Sequence, residues 1–164
     1  MGVHYLTEEE VYNGTKRLLQ RKGYVLLGGQ PPRGVNHLPV IEVKSGTNDD
    51  KGSRDAYKPD LIAFNQDFFL IIECKPVYCG KDIDKLEEIL GSEKRINSLF
   101  EELRQRGCLS SIGYKGDKET FRMNIKGAHA YSGEFVDRKG VCHIIIENFH
   151  GEGKMIDLND GFAC

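Results

Sequence analysis

Lys58-Pro59-Asp60-Leu61-Ile62-Ala63-Phe64-Asn65-Gln66-Asp67-Phe68-Phe69-Leu70-Ile71-Ile72-Glu73-Cys74-Lys75 is the stretch on which the fold turns. Two short apolar runs flank a polar turn at Asn65-Gln66-Asp67, the pattern of a β-hairpin. Pairing around that turn sets Asp60 across from about Ile72 or Glu73, so two acids become cross-strand neighbours. Glu73 and Lys75 are two apart on one strand and share a face, while Cys74 points the other way. An unpaired charge beside buried apolar surface is costly. Two carboxylates and an ammonium gathered at the end of so hydrophobic a ribbon therefore suggest a site holding a divalent metal and a water.

The rest of the chain is read outward from this ribbon. Thr7-Glu8-Glu9-Glu10 has the capping-box form, with Thr7 as N-cap and Glu10 at N3. The helix it starts carries Val11, Tyr12, Leu18 and Leu19 on one side and ends at Gly23. Tyr24 to Leu27 enters a strand, and residues 28–37, with Gly28, Gly29, Pro31, Pro32 and Gly34, read as a loop. Leu38 to Lys44 alternates like a second strand, and residues 45–57 read as a polar loop beside the site. Downstream, Ile83, Leu86, Ile89, Leu90, Ile96, Leu99, Phe100 and Leu103 recur at helical steps between about Asp82 and Arg106. Gly91 bends or divides that helix, and Gly107 ends it. Phe121 to Lys126 alternates like a strand, and Val141 to Phe149 reads as a buried strand in the centre of the sheet. A hairpin, a long helix and then a buried strand imply a crossover and a mixed sheet packed by helices, an α/β fold.

Pro59-Asp60, the strand-turn-strand interval and Glu73-Cys74-Lys75 together resemble the signature of the PD-(D/E)xK nuclease superfamily. The spacing is similar to that in archaeal Holliday-junction resolvases and several restriction endonucleases. The resemblance spans about residues 7 to 106. It implies a three-layer α/β/α restriction-endonuclease-like core with a mixed central β-sheet, and a Mg²⁺-dependent endonuclease acting on double-stranded DNA, with Mn²⁺ as a substitute. It further implies Asp60 and Glu73 as metal ligands, a contribution from the Cys74 backbone carbonyl, and a carboxylate from the first helix. Glu8 is favoured for the last role, because it lies three and four positions before Val11 and Tyr12 and so borders the buried face. Glu10 is engaged in the capping box, and Glu9 should face solvent. Lys75 is expected to orient the water and the phosphate rather than act as a base, since burial lowers its pKa while the carboxylates raise it.

Composition narrows the setting. The chain has 164 residues, 29% charged and 39% hydrophobic, which suits one domain (1–164) with a substantial core. It holds no apolar run of about 18 residues and no leader-like start, so neither a membrane span nor a signal peptide is expected. Five cysteines without a CxxC pair read as reduced thiols of a cytoplasmic protein. The five histidines are scattered and read as surface or hydrogen-bonding residues rather than ligands.

The net charge of −2 is unlike that of a protein gripping DNA unaided. Arg33, Lys44, Lys51, Arg54 and Lys58 precede the site and are candidate contacts to the DNA backbone, and Lys115, Lys118, Arg122 and Lys126 form a weaker strip. With no recognition module in view, the expectation is a small cleavage subunit, similar to those of heterodimeric type IIS restriction enzymes. Its partner would be a larger DNA-recognition subunit or a second copy. A structure-specific resolvase and an inactive nuclease-like binding module are the alternatives.

Overall fold

A computed structural model describes residues 5–33, 37–44, 56–66 and 68–157 of the chain. The order is α1 (Glu8–Arg21), β1 (Val25–Gly29), β2 (Leu61–Asn65), β3 (Phe68–Cys74), α2 (Gly80–Leu90), α3 (Glu93–Gln105), α4 (Cys108–Ser111), α5 (Lys118–Met123), β4 (Ile125–Tyr131), β5 (Cys142–Ile146) and β6 (Gly153–Asp157). The six strands form one sheet in sequence order. Pairing is antiparallel from β1 to β3, parallel from β3 to β5, and antiparallel again at β6.

The α/β reading and the mixed sheet hold. Strands β2 and β3 read as unbroken apolar runs because helices cover both their faces. Leu61, Ala63, Leu70 and Ile72 pack with Val11, Leu18 and Leu19 of α1. Ile62, Phe64, Phe69 and Ile71 face the opposite way, toward Ile83, Leu86, Ile96 and Leu99 of α2 and α3. Phe69 and Phe121 approach to 4.7 Å between ring centroids, which seats α5 on the same side. None of the described helices is long and apolar enough to cross a membrane.

Local sequence explains most boundaries. Thr7 accepts from the Glu10 amide while Glu10 returns a bond to Thr7, the reciprocal cap expected. The downstream helical stretch divides at Gly91, after which the Ser92 side chain caps α3.

Four local expectations are corrected. Asn65 pairs with Phe68, so the turn is shorter than the three residues expected. Gly28 and Gly29 lie inside β1 rather than in a loop. A side chain at Gly28 would meet Ile41 at 2.6 Å and one at Gly29 would meet Tyr12 Oη at 2.7 Å, so close packing selects glycine there. Leu38 to Lys44 forms no strand; it lies along β1 with one bond from Gly29 N–H to Pro39 C=O and an isolated bridge between Val43 and Tyr57. Phe121 to Lys126 is split between α5 and β4, because Asp117 caps a short helix that outcompetes the alternation. The expected loop at 45–57 falls mostly on residues 45–55, outside the described residues.

The buried strand expected at 141–149 is β5, shielded from the edge by β6. The helical crossover from β3 returns instead through β4. Helix α2 lies close over β4 because Gly127 has no side chain: an added Cβ would meet Leu90 at 3.2 Å and Leu86 at 3.3 Å. That close approach brings the start of α2 over the end of β3.

Candidate active site

The hairpin register places the two acids. Leu61 opposes Ile72, so the preceding Asp60 falls opposite Glu73. Asp60 N–H donates to Glu73 Oε2 at 3.2 Å, and Cys74 N–H donates to Asp60 Oδ2 at 2.8 Å. Gln30 N–H donates to the Asp60 carbonyl at 2.9 Å, which ties the start of β2 to β1. Asp60 therefore sits at a mouth where the ladder ends and side chains take over its hydrogen bonds.

The parallel register settles where Cys74 directs its peptide groups. Phe69 N–H and Lys75 N–H donate to Asn124 and Ala130 carbonyls, so odd-numbered residues of β3 bond toward β4. Cys74, one residue out of phase, directs its N–H and C=O toward the Asp60 side. Its thiol lies buried on the α1 face, and burial, then Asp60 and Glu73, push it well above the ordinary thiol range. The Cys74 side chain thus packs away from the acids, while its carbonyl faces the Asp60 side.

Helices on both faces complete the constellation. Glu8, at the first turn of α1, stands 3.6 Å from Lys75 Nζ. Tyr12, one helical turn later, is buried, and its hydroxyl lies against Gly29 with no hydrogen-bond partner among the described residues. Burial, then Cys74 and Asp60, raise this phenol far above its ordinary value. From the other face, Lys85 of α2 places Nζ 2.7 Å from Glu73 Oε1 and 4.8 Å from the centre of the Tyr57 ring. Asp82 lies one turn before Lys85 and is 7% exposed.

The charges are crowded. Burial first, and the Glu73 charge second, push the Asp60 carboxyl up to about 7, against the pull of the Cys74 N–H. Burial alone lowers the Lys75 ammonium, but Asp82, Glu8, Asp60 and Glu73 outweigh it and hold Lys75 above the ordinary lysine value. A lysine so held is protonated at neutral pH, suited to fixing negative charge and unsuited to removing a proton. Tyr57 is likewise raised by burial and by Glu73.

No protein-family model, curated protein or solved structure matches this chain.

The structure thus brings Asp60, Glu73, Lys75 and Glu8 together. The five candidate DNA contacts are more dispersed. Arg33 is exposed and 3.4 Å from Glu9, Lys58 is 3.7 Å from Glu42, and Lys44 donates its backbone N–H to Ser98 Oγ. Arg54 lies outside the described residues, as does Lys51. In the weaker strip, Lys118 and Arg122 pair with Glu101 and Glu93.

Sequence reasoning missed Tyr57, Asp82, Lys85 and His129. Asp82 was detectable: it stands four before Leu86 and seven before Ile89, on the apolar stripe of α2, where an acid needs a reason. His129 had no such signal. Its ring is fully buried, accepts the Cys79 N–H at Nε2 (2.9 Å) and meets the Glu73 carbonyl at Nδ1 (3.1 Å). A carbonyl can only accept, so the proton is on Nδ1, and this neutral ring pins the start of α2 to the Glu73 segment.

Proposed function

We propose that the chain is a Mg²⁺-dependent endodeoxyribonuclease built on a PD-(D/E)xK centre in a restriction-endonuclease-like core. The observation that carries this reading is the joining of Asp60 to Glu73 and Cys74 at the mouth of the hairpin, with Lys75 alongside. The donor set suits a hard cation: carboxylates and a carbonyl are the ligands Mg²⁺ accepts, in small number. The crowding of Asp60 against Glu73 in a buried place supplies the motive, because Lys85 pairs with Glu73 alone and Asp60 has no ion-pair partner among the described residues.

Asp60, Glu73 and the Cys74 carbonyl would hold the ion. When bound, it lowers the pKa of a water and neutralises phosphoryl oxygens. This chain's own residues supply the rest. The Lys75 ammonium, kept protonated, fixes a phosphoryl oxygen and orients the attacking water beside it. Glu8 holds Lys75 at the mouth in the free protein. Helices on either face shield the pair of acids from bulk water, which strengthens each of these electrostatic contacts.

The pI of about 6.2 supports a cleavage subunit that cuts one strand beside a larger recognition subunit, since the chain brings no surplus of cations for DNA. A Holliday-junction-resolvase-like nuclease uses the same residues and differs in substrate. Incubation with plasmid and four-way-junction DNA plus Mg²⁺, alone and with the products of adjacent genes, tests the reading. Asp60→Ala is expected to lower the cleavage rate roughly a thousandfold, as several kcal/mol of charge stabilisation disappear. Lys75→Ala should lose cutting yet keep Mn²⁺ affinity, whereas Glu73→Ala loses both. DNA binding without cleavage under every condition would instead identify an inactive binding module.

A further inference from the structure

Lys85 was not part of the sequence signature, yet it makes the closest ion pair of the site. Its Nζ lies 2.7 Å from Glu73 Oε1, while Glu73 Oε2 accepts the Asp60 N–H at 3.2 Å. Both oxygens of the buried Glu73 are thus engaged, one of them by a full positive charge. The helix that carries Lys85 is held in place twice over. Gly127 lets α2 lie against β4, and His129 ties Cys79, at the helix start, to the Glu73 carbonyl. The Tyr57 ring, itself buried, supports the ammonium from beside it.

Charge counting sharpens the point. Asp60, Glu73, Glu8 and Asp82 bring four carboxylates, and Lys75 and Lys85 bring two ammonium groups. Full ionisation leaves two negative charges, the charge of one divalent ion. Two buried polar atoms border this space without a hydrogen bond among the described residues: Asp82 Oδ2 and Tyr12 Oη. Their residues are 7% and 2% exposed, and each is coupled electrostatically to the site, Asp82 to Lys75 and Tyr12 to Asp60. Buried polar atoms without partners are uncommon in folded proteins, and they mark a place where a cation or its water belongs.

We propose that the Lys85 ammonium permanently occupies the α2 side of Glu73, where a second divalent ion would otherwise bind, so that the site takes a single divalent cation on its Asp60 side. The proposal rests on the metal site assigned above, but not on what that site does to DNA.

Mn²⁺ binding to the full chain, followed by calorimetry and by the electron paramagnetic resonance of free Mn²⁺, tests it. The wild type is expected to bind one ion per chain, lost in Asp60→Ala. Lys85→Gln, which keeps the length and removes the charge of a half-exposed side chain, is expected to bind two. Two ions in the wild type overturn the proposal, whatever the variant does. So does a folded Lys85→Gln, checked by circular dichroism, that still takes one ion, and so does a wild type that binds none. If Lys85→Gln fails to fold, Lys85→Met is expected to show the same second ion. A parallel cleavage assay separates the two readings. One bound ion with no DNA cleavage under any condition leaves this inference standing and removes the nuclease; cleavage with two bound ions does the reverse.

Discussion

Two groups of buried polar side chains stand on neighbouring strands, and they are satisfied in opposite ways. On β4 and β5, the Tyr131 hydroxyl and both His143 ring nitrogens are matched. Tyr131 Oη bonds His143 Nδ1 at 2.8 Å and accepts the Val136 N–H, while His143 Nε2 meets the Arg138 carbonyl at 2.6 Å. The accepting carbonyl puts the His143 proton on Nε2, so Nδ1 receives the tyrosine proton and the chain of bonds closes. His129 closes a second circuit between β3 and α2. At the end of the β2–β3 hairpin, by contrast, Asp60 and Glu73 are crowded together and two buried oxygens nearby have no bond among the described residues. Closed networks specify a fold, and open ones leave affinity for something outside the chain. The histidines are scaffold, and the acids are a site.

The comparison breaks most visibly at His129. His129→Phe keeps the volume but strands the Cys79 N–H, so a loss of roughly 1–3 kcal/mol is expected in urea unfolding. Stability equal to wild type would mean that the closed end is not scaffold. A smaller effect of opposite sign is expected at the open end. Asp60→Asn retains an acceptor for the Cys74 N–H and removes a charge beside Glu73, so the metal-free protein should gain about 1 kcal/mol, or roughly 2–4 °C in Tm at this size, at pH 8. A loss of Tm would mean that Asp60 is structural.

The smallest effect is a pH dependence. Folded Asp60 keeps its proton up to about pH 7, whereas the unfolded chain releases it near 3.8. Between these values the folded state binds more protons, so this group's contribution falls as pH rises. A divalent ion replaces that proton. The rise in Tm on adding Ca²⁺ is therefore expected to be larger at pH 8 than at pH 5.5, and to vanish in Asp60→Asn. A rise independent of pH, or one kept by the variant, would place the ion elsewhere.

Legibility in the sequence followed the range of the interaction. Thr7 and Glu10 are three residues apart, and their reciprocal cap needs no more than one helical turn. Asp60 and Glu73 are separated by one hairpin, so period-two counting brings them together. Glu8 needed more, since its approach to Lys75 depends on how α1 docks, and only its place at the edge of the apolar face pointed to it. Gly28 and Gly29 misled, because glycines in a strand look like a loop until Ile41 and Tyr12 are seen pressing on them.

What the amino-acid order determined unaided was the apolar ribbon, the acids and ammonium at its mouth, and the helix starts, since each arises from backbone periodicity or a side chain's reach to its near neighbours. What tertiary structure alone decided was the company those acids keep. Lys85, Asp82 and His129 reach the site because α2 settles onto Gly127 and β4 returns parallel beside β3, and Tyr57 because its bridge to Val43 holds it there. Those contacts join residues far apart in the chain, and no local pattern encodes a distance that only packing sets.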